Sequence, residues 1–265
     1  MIPFTLEHWL RADEDARLII LDAVLERMPP GYRSQRDAGH RVGAFPQFVH
    51  EETGVVFDVI LGGRSLFGMT ELRWRRVIST HAMWAVDLEA ERRAPPLDRR
   101  QAATLMPSRE VEISPALVAA GPVPFVLLKK FGLDEARLTS WGFEPTQLEL
   151  VLRAVTRLGW RAPSEAEWEH ALRAIYGDRI DGGRVDGGDH SIGRHPELCR
   201  DDFAETLAGY PERGSRGNGH EVLRGNTRAP SFISHWNAEV LWPGRSRLAD
   251  VSGRIAFRPW VDLVG

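Results

Sequence analysis

Residues 161–175 read RAPSEAEWEHALRAI, and this stretch anchors the reading of the whole chain. Ser164 followed three places on by Glu167 is a capping-box pattern. The hydroxyl accepts from a first-turn backbone N–H, and the carboxylate reaches back to the N–H of the cap residue. Trp168, Ala171, Leu172 and Ile175 then recur at helical spacing, so the stretch is a helix start. The device is repeated upstream. Thr146 and Glu149 form the same pattern at the head of the series Leu148, Val151, Leu152, Val155 and Leu158, which predicts a second helix running to about Leu158 and ending near Gly159. A cap satisfies N–H groups that the first turn leaves unpaired. It says where a helix begins and nothing about what the helix serves.

Working toward the N-terminus, VVFDVILGG at 55–63 is a β-branched run stopped by Gly62 and Gly63, which predicts a strand and a turn within Phe48–Met69. Val111 to Val118 reads as a short strand interrupted at Pro115. Val126 to Phe131 is apolar but short. Trp74 to Arg93 fits two strands or one helix equally well, and Arg92 to Pro107, rich in proline and arginine, reads as an exposed loop. Leu6, Trp9, Leu10, Leu18, Leu21, Val24 and Leu25 recur at roughly helical spacing between Thr5 and Arg27, predicting a helix or a broken helix pair that Met28-Pro29-Pro30-Gly31 ends. Beyond Tyr176, GDRIDGGRVDGGDHSIGRHP favours loops. Its aspartates Asp178, Asp181, Asp186 and Asp189 lack the EF-hand spacing and closing glutamate. Short strands follow at HEVLRG and GRIAFRPWVDL, around an irregular stretch from Asn226 to Ser252. Few helices and many short strands indicate an irregular α+β domain.

With 265 residues, 43% of them hydrophobic, the chain has material for one large core or two small ones. Its formal charge of −3, from 34 basic and 37 acidic residues, supplies no overall drive toward nucleic acid or anionic membranes. No basic-then-apolar leader opens the sequence and no apolar run of about 18 residues occurs, so the expected location is the cytoplasm. The single cysteine, Cys199, excludes an internal disulfide and any multi-cysteine metal site.

Taken in order, these segments resemble the formylglycine-generating enzyme, or sulfatase-modifying-factor, family. VILGGRSLFGM at 59–69 looks like that family's opening strand, Ile-Pro-Gly-Gly-x-Phe-x-Met-Gly. VEISPALVAAGPV at 111–123 is similar to its next strand. GWRAPSEAEWEHALRA at 159–174 resembles Arg-Leu-Pro-Thr-Glu-Ala-Glu-Trp-Glu-Tyr-Ala-Ala-Arg, agreeing in type from Ser164 to His170. ELCRDDF at 197–203, VLRGN at 222–226 and IAFRP at 255–259 resemble the Glu-Trp-Cys-x-Asp, Val-Leu-Arg-Gly-Gly and Gly-Phe-Arg signatures that close the domain. The resemblance implies a C-type-lectin-like fold over 46–265, with 1–45 as an N-terminal helical extension.

Fold alone does not carry function. The family's oxidases bind copper through two cysteines placed shortly after the Arg-Gly-Gly signature, thiolates suiting Cu(I) because both are soft. Pro230 and His235 stand at those places here, so the resemblance implies no formylglycine chemistry. The His-x-x-x-His-x-Glu iron triad of the related sulfoxide synthases is absent too. His190, His195 and His235 remain as histidines able to suit iron, copper or zinc, and the enzymatic alternative is a divergent iron- or copper-dependent oxygenase built on them. The resemblance also implies a structural calcium site, but the Gly-Asn of its loop is replaced here by Arg194-His195-Pro196. No Gly-x-Ser-x-Gly elbow or phosphate-cradling Gly-x-x-x-x-Gly-Lys occurs. Cys199 reads as a buried thiol in preference to a nucleophile beside His195.

Relatives of this fold also include recognition proteins that display side chains from the stretch between an Arg-Gly and a terminal Phe-Arg. Here that stretch holds Arg228, Phe232, His235, Trp236, Trp242 and Arg245, and aromatic and arginine residues are those enriched at binding hot spots. The expectation is therefore a catalytically silent domain without a cofactor, binding a protein or small ligand through 226–252. The N-terminal helix is a second docking element.

Overall fold

The computed structural model describes residues 5–34, 46–73, 75, 103–140, 142–176, 192–193, 195–212, 217–225, 245–251 and 253–263. Its centre is a five-stranded antiparallel sheet in the order β1-β2-β3-β6-β10. These strands are β1 (Tyr32–Ser34), β2 (Gln47–His50), β3 (Val56–Ile60), β6 (Ala116–Ala119) and β10 (Trp260–Asp262). β4 (Gly63–Phe67) and β5 (Arg109–Ile113) form a two-stranded ribbon. β7 (Glu197–Cys199), β8 (Val222–Arg224) and β9 (Arg245–Arg247) form a three-stranded antiparallel sheet. Mixed helices and antiparallel sheets make the fold α+β.

The central strands lack the polar alternation of a half-exposed sheet because both faces are covered. Along β6 the side chains still alternate. Leu117 and Ala119 join a core with Phe57, Val59, Trp160 and Val261, while Ala116 and Val118 join a second core with Ile60, Trp168, Leu172 and Trp260. Pro115 breaks the expected strand at 111–118 into β5 and β6, which belong to different sheets. Gly62 makes the matching break between β3 and β4. A Cβ there would lie 2.2 Å from the carbonyl oxygen of Ile113, so only glycine permits the close crossing of the two ribbons.

Helices cover the first core. α1 (Leu6–Arg11) and α2 (Glu14–Leu25) form the broken pair expected between Thr5 and Arg27, each with its own cap: Thr5 Oγ1 accepts from the N–H of His8, and Asp13 from that of Ala16. Trp9, Ile20 and Val24 enter the core beside Phe48 and Phe57. The apolar run at 126–131 is helix α3 (Phe125–Lys130), burying Leu127 and Leu128.

The second capping box differs from expectation. Helix α4 (Leu148–Arg157) ends before Gly159, as expected, but Pro145–Gln147 forms a 3-10 turn and Gln147 is the N-cap, without a side-chain cap bond. Glu149 instead accepts from Arg153 one turn on. The third major helix, α5 (Glu165–Tyr176), is the one opened by Ser164. No helix among the described residues is long and apolar enough to cross a membrane.

Candidate recognition site

The start of α5 behaves as its sequence demands. Ser164 Oγ accepts from the N–H of Glu167 at 3.2 Å, and Glu167 Oε2 accepts from the N–H of Ser164 at 2.6 Å. Glu167 also takes two hydrogen bonds from Arg161, each 2.8 Å. This helix is buried nearly all round. Trp168, Ala171 and Leu172 pack on the second core, and Ala166 packs on a third with Phe67, Val111, Ile113, Leu207 and Tyr210. Its carboxylates Glu165 and Glu169, each 1% exposed, therefore need buried cations, because an uncompensated charge in this setting costs several kcal/mol, on the order of the penalty per ion in real proteins.

Those cations come from β8, β9, residue 73 and α5 itself. Glu169 accepts from Arg73 Nη1 at 2.9 Å, Arg224 Nη2 at 2.7 Å and Arg173 Nη2 at 2.7 Å. Glu165 accepts from Arg245 Nη2 at 2.9 Å and lies 3.4 Å from Arg224 Nη1. Burial alone would push the Glu169 carboxyl up, but the three guanidiniums overcome it and hold it well below the usual carboxylate range. For Arg224 burial acts against the charge and the carboxylates of Glu169 and Glu165 outweigh it, raising its pKa. A second set stands beside it. Glu197 accepts from Arg258 Nε and Nη2 at 2.8 and 2.9 Å, from the indole N–H of Trp168 at 2.9 Å and from the N–H of Gly193 at 3.1 Å. Asp201 accepts from the Glu165 N–H and the Tyr210 hydroxyl, both at 2.7 Å. Glu169, held firmly in the charged form, is a poor proton donor or acceptor near neutral pH, and the carboxylates around it are spent on these buried hydrogen bonds. Their work is to fix the strands that carry the arginines.

That fixing defines the site. Arg224 and Arg245 are directly opposite each other in the β8–β9 register, and both reach Glu165. Residues 226–244 leave from one and return at the other. Phe203 is stacked by the guanidiniums of Arg245 and Arg247 at 4.5 and 4.7 Å, adding an aromatic cover to the same stem.

The expected site residues distribute as follows. Arg228, Phe232, His235, Trp236 and Trp242 lie outside the described residues, as do His190 and the aspartates Asp178, Asp181, Asp186 and Asp189. Arg245 is within them, but it is 4% exposed, with its guanidinium committed to Glu165 and to the carbonyl of Ala204. It serves the base and is closed to a ligand. His195 is half-buried next to Pro196. Cys199 is a free, fully buried thiol on β7, pushed up by burial and then by the charges of Asp201 and Glu165, which disfavours the nucleophilic thiolate. No group of three His, Cys, Asp or Glu residues able to hold a metal occurs among the described residues. The roles of Glu165, Glu169, Arg73 and Arg224 are not visible in the sequence pattern, because charged residues are read by default as solvated. The one available signal is the i, i+4 spacing of Glu165 and Glu169 on a helix that also carries the apolar Ala166, Trp168, Ala171 and Leu172.

No family model matches the chain, and no curated protein matches its sequence. Among solved structures, PvdO from Pseudomonas aeruginosa is similar at 15% sequence identity and a TM-score of 0.49, over 83% of this chain and 99% of PvdO. At this level of likeness neither activity nor ligand passes from PvdO to this chain.

Proposed function

We propose that the protein is a catalytically silent recognition module with a formylglycine-generating-enzyme-like, C-type-lectin-like fold, binding a protein or small ligand through residues 226–252. The observation that supports this reading is the stem at the base of that stretch. Arg224 and Arg245 are in register, buried, and clamped on Glu165, so a long connection leaves and returns at a point that side-chain rotation cannot loosen. Loops that bind are commonly carried on such rigid bases. The chemistry of the stretch fits the same role, since Arg228, Phe232, Trp236 and Trp242 are the side-chain types that dominate binding energy. The absence of thiols at Pro230 and His235, the places of the family's copper ligands, argues against oxidase activity.

The test is a binding screen of the intact chain on peptide and glycan arrays, followed by Trp236→Ala against any ligand found. Binding should be abolished while the melting temperature stays within a few degrees. A loss of about 3–5 kcal/mol of stability, the cost of truncating a packed aromatic, would show that Trp236 is core and would contradict the assignment.

A further inference from the structure

A second surface lies at the opposite end of the sequence. Of the eight large apolar side chains most exposed among the described residues, four belong to the α1–α2 hairpin: Leu10 at 65%, Leu18 at 55%, Ile19 at 51% and Leu25 at 39%. A groove of about 330 Å³ opens beside them, lined among others by Ala12, Ala16, Ile19 and Ile20. The small side chains of Ala12 and Ala16 leave room for a larger apolar group. Exposed apolar surface concentrated on one element marks an interaction site more often than scattered leucines do.

Charge decides what fits. Across the hairpin, from Leu6 to Arg27, the sequence carries six carboxylates, Glu7, Asp13, Glu14, Asp15, Asp22 and Glu26, against the cations Arg11, Arg17 and Arg27, a net of −3, equal to that of the whole chain. Arg17 is turned inward, donating to the Trp9 carbonyl at 3.2 Å and stacking on its ring. Asp13 is used as the α2 cap, while Glu14, Asp15, Asp22 and Glu26 make no ion pair among the described residues. Asp15, Leu18, Asp22, Leu25 and Glu26 follow i, i+3, i+7, i+10, i+11 spacing and so share one face of α2. A second copy would set carboxylate against carboxylate across a two-fold axis, and an anionic lipid surface would be repelled.

We propose that the outer face of the α1–α2 hairpin docks a basic amphipathic helix from a partner protein. Its apolar stripe would lie on Leu18, Ile19 and Leu25, with one side chain in the groove, and its lysines or arginines would meet Asp15, Asp22 and Glu26. This is helix-in-groove recognition. It does not depend on the site at 226–252.

The probe is a labelled Leu/Lys amphipathic peptide of about 18 residues, long enough to form a helix on contact. It is titrated with the intact chain by fluorescence anisotropy at about 0.15 M salt, and a Leu/Glu peptide of the same pattern serves as the control. The Leu/Lys peptide should bind and the Leu/Glu peptide should not. Leu18→Ser with Leu25→Ser should weaken binding at least roughly tenfold, and Asp15→Asn, Asp22→Asn and Glu26→Gln together should remove most of its salt dependence. All five side chains are exposed, so the variants should retain the parent melting temperature. Equal binding of the Leu/Glu peptide, or unchanged binding after the two leucine substitutions, would overturn the proposal. So would a dimer that Leu18→Ser converts to monomer in sedimentation, which would make a second copy the occupant.

Discussion

Glu169 is the residue on which the fewest alternatives are open. It faces Arg73, Arg224 and Arg173 from a position that is 1% exposed, so Glu169→Gln leaves three guanidiniums around a neutral amide. Urea unfolding should show a loss of about 3–5 kcal/mol, the usual result of removing one partner of a buried ion pair. A loss under about 1 kcal/mol would mean the cluster is hydrated and loose. Because its folded pKa lies below the ordinary value of 4.5, Glu169 contributes fully above that pH and its contribution is lost as pH falls beneath it. His170 acts earlier. Burial, with Arg173 adding to it, lowers its pKa from 6.5, while its Nε2–H donates to the Leu61 carbonyl at 2.7 Å. A depressed histidine pKa gives stability that is complete above 6.5 and declines as pH drops below it. The melting temperature should therefore begin to fall just under pH 6.5, and His170→Gln should reduce that slope. Burial also lowers the pKa of His50 and His220, so some slope should remain. An unchanged slope in the His170 variant would remove it from the account.

Among the elements, two capping boxes were written alike and only one formed. Ser164 and Glu167 close on each other across the first turn, where both side chains are buried. Ser164→Ala should cost about 1 kcal/mol in a thermal melt. A neutral result would show that packing alone holds the helix start. At Thr146 the preceding Pro145 starts a 3-10 turn, and the N–H of Gln147 already reaches the carbonyl of Glu144 at 2.9 Å, which moves the cap one residue on. Proline at the start was the visible warning. The strands were legible where glycine or proline punctuated them, as at Gly62 and Pro115. Their sheet membership was not, since that depends on contacts far along the chain, such as β3 with β6. Gly62→Ala should cost about 3 kcal/mol by forcing a Cβ onto the Ile113 carbonyl. Gly253→Ala, with open space around the added carbon, should be close to neutral.

For the whole molecule, composition and pattern were enough to give an α+β chain, and the order of segments suggested a fold family. They could not give the interior electrostatics. Glu165 and Arg245 are 80 residues apart, and no local rule pairs them. Arg245 illustrates the consequence: an arginine in an aromatic-rich stretch looked like a contact for a ligand, and the fold commits it to Glu165 and the Ala204 carbonyl. The functional reading then turns on whether 226–252 recognises a partner or whether His190, His195 and His235 assemble an oxygenase centre. The most direct measurement is the iron and copper content of the intact protein by mass spectrometry, after anaerobic incubation with iron(II) or copper(I) and desalting. A recognition module should retain no stoichiometric metal. About one equivalent held through desalting, and lost in His195→Ala or His235→Ala, would contradict a catalytically silent domain and make the histidine-based oxygenase the better account.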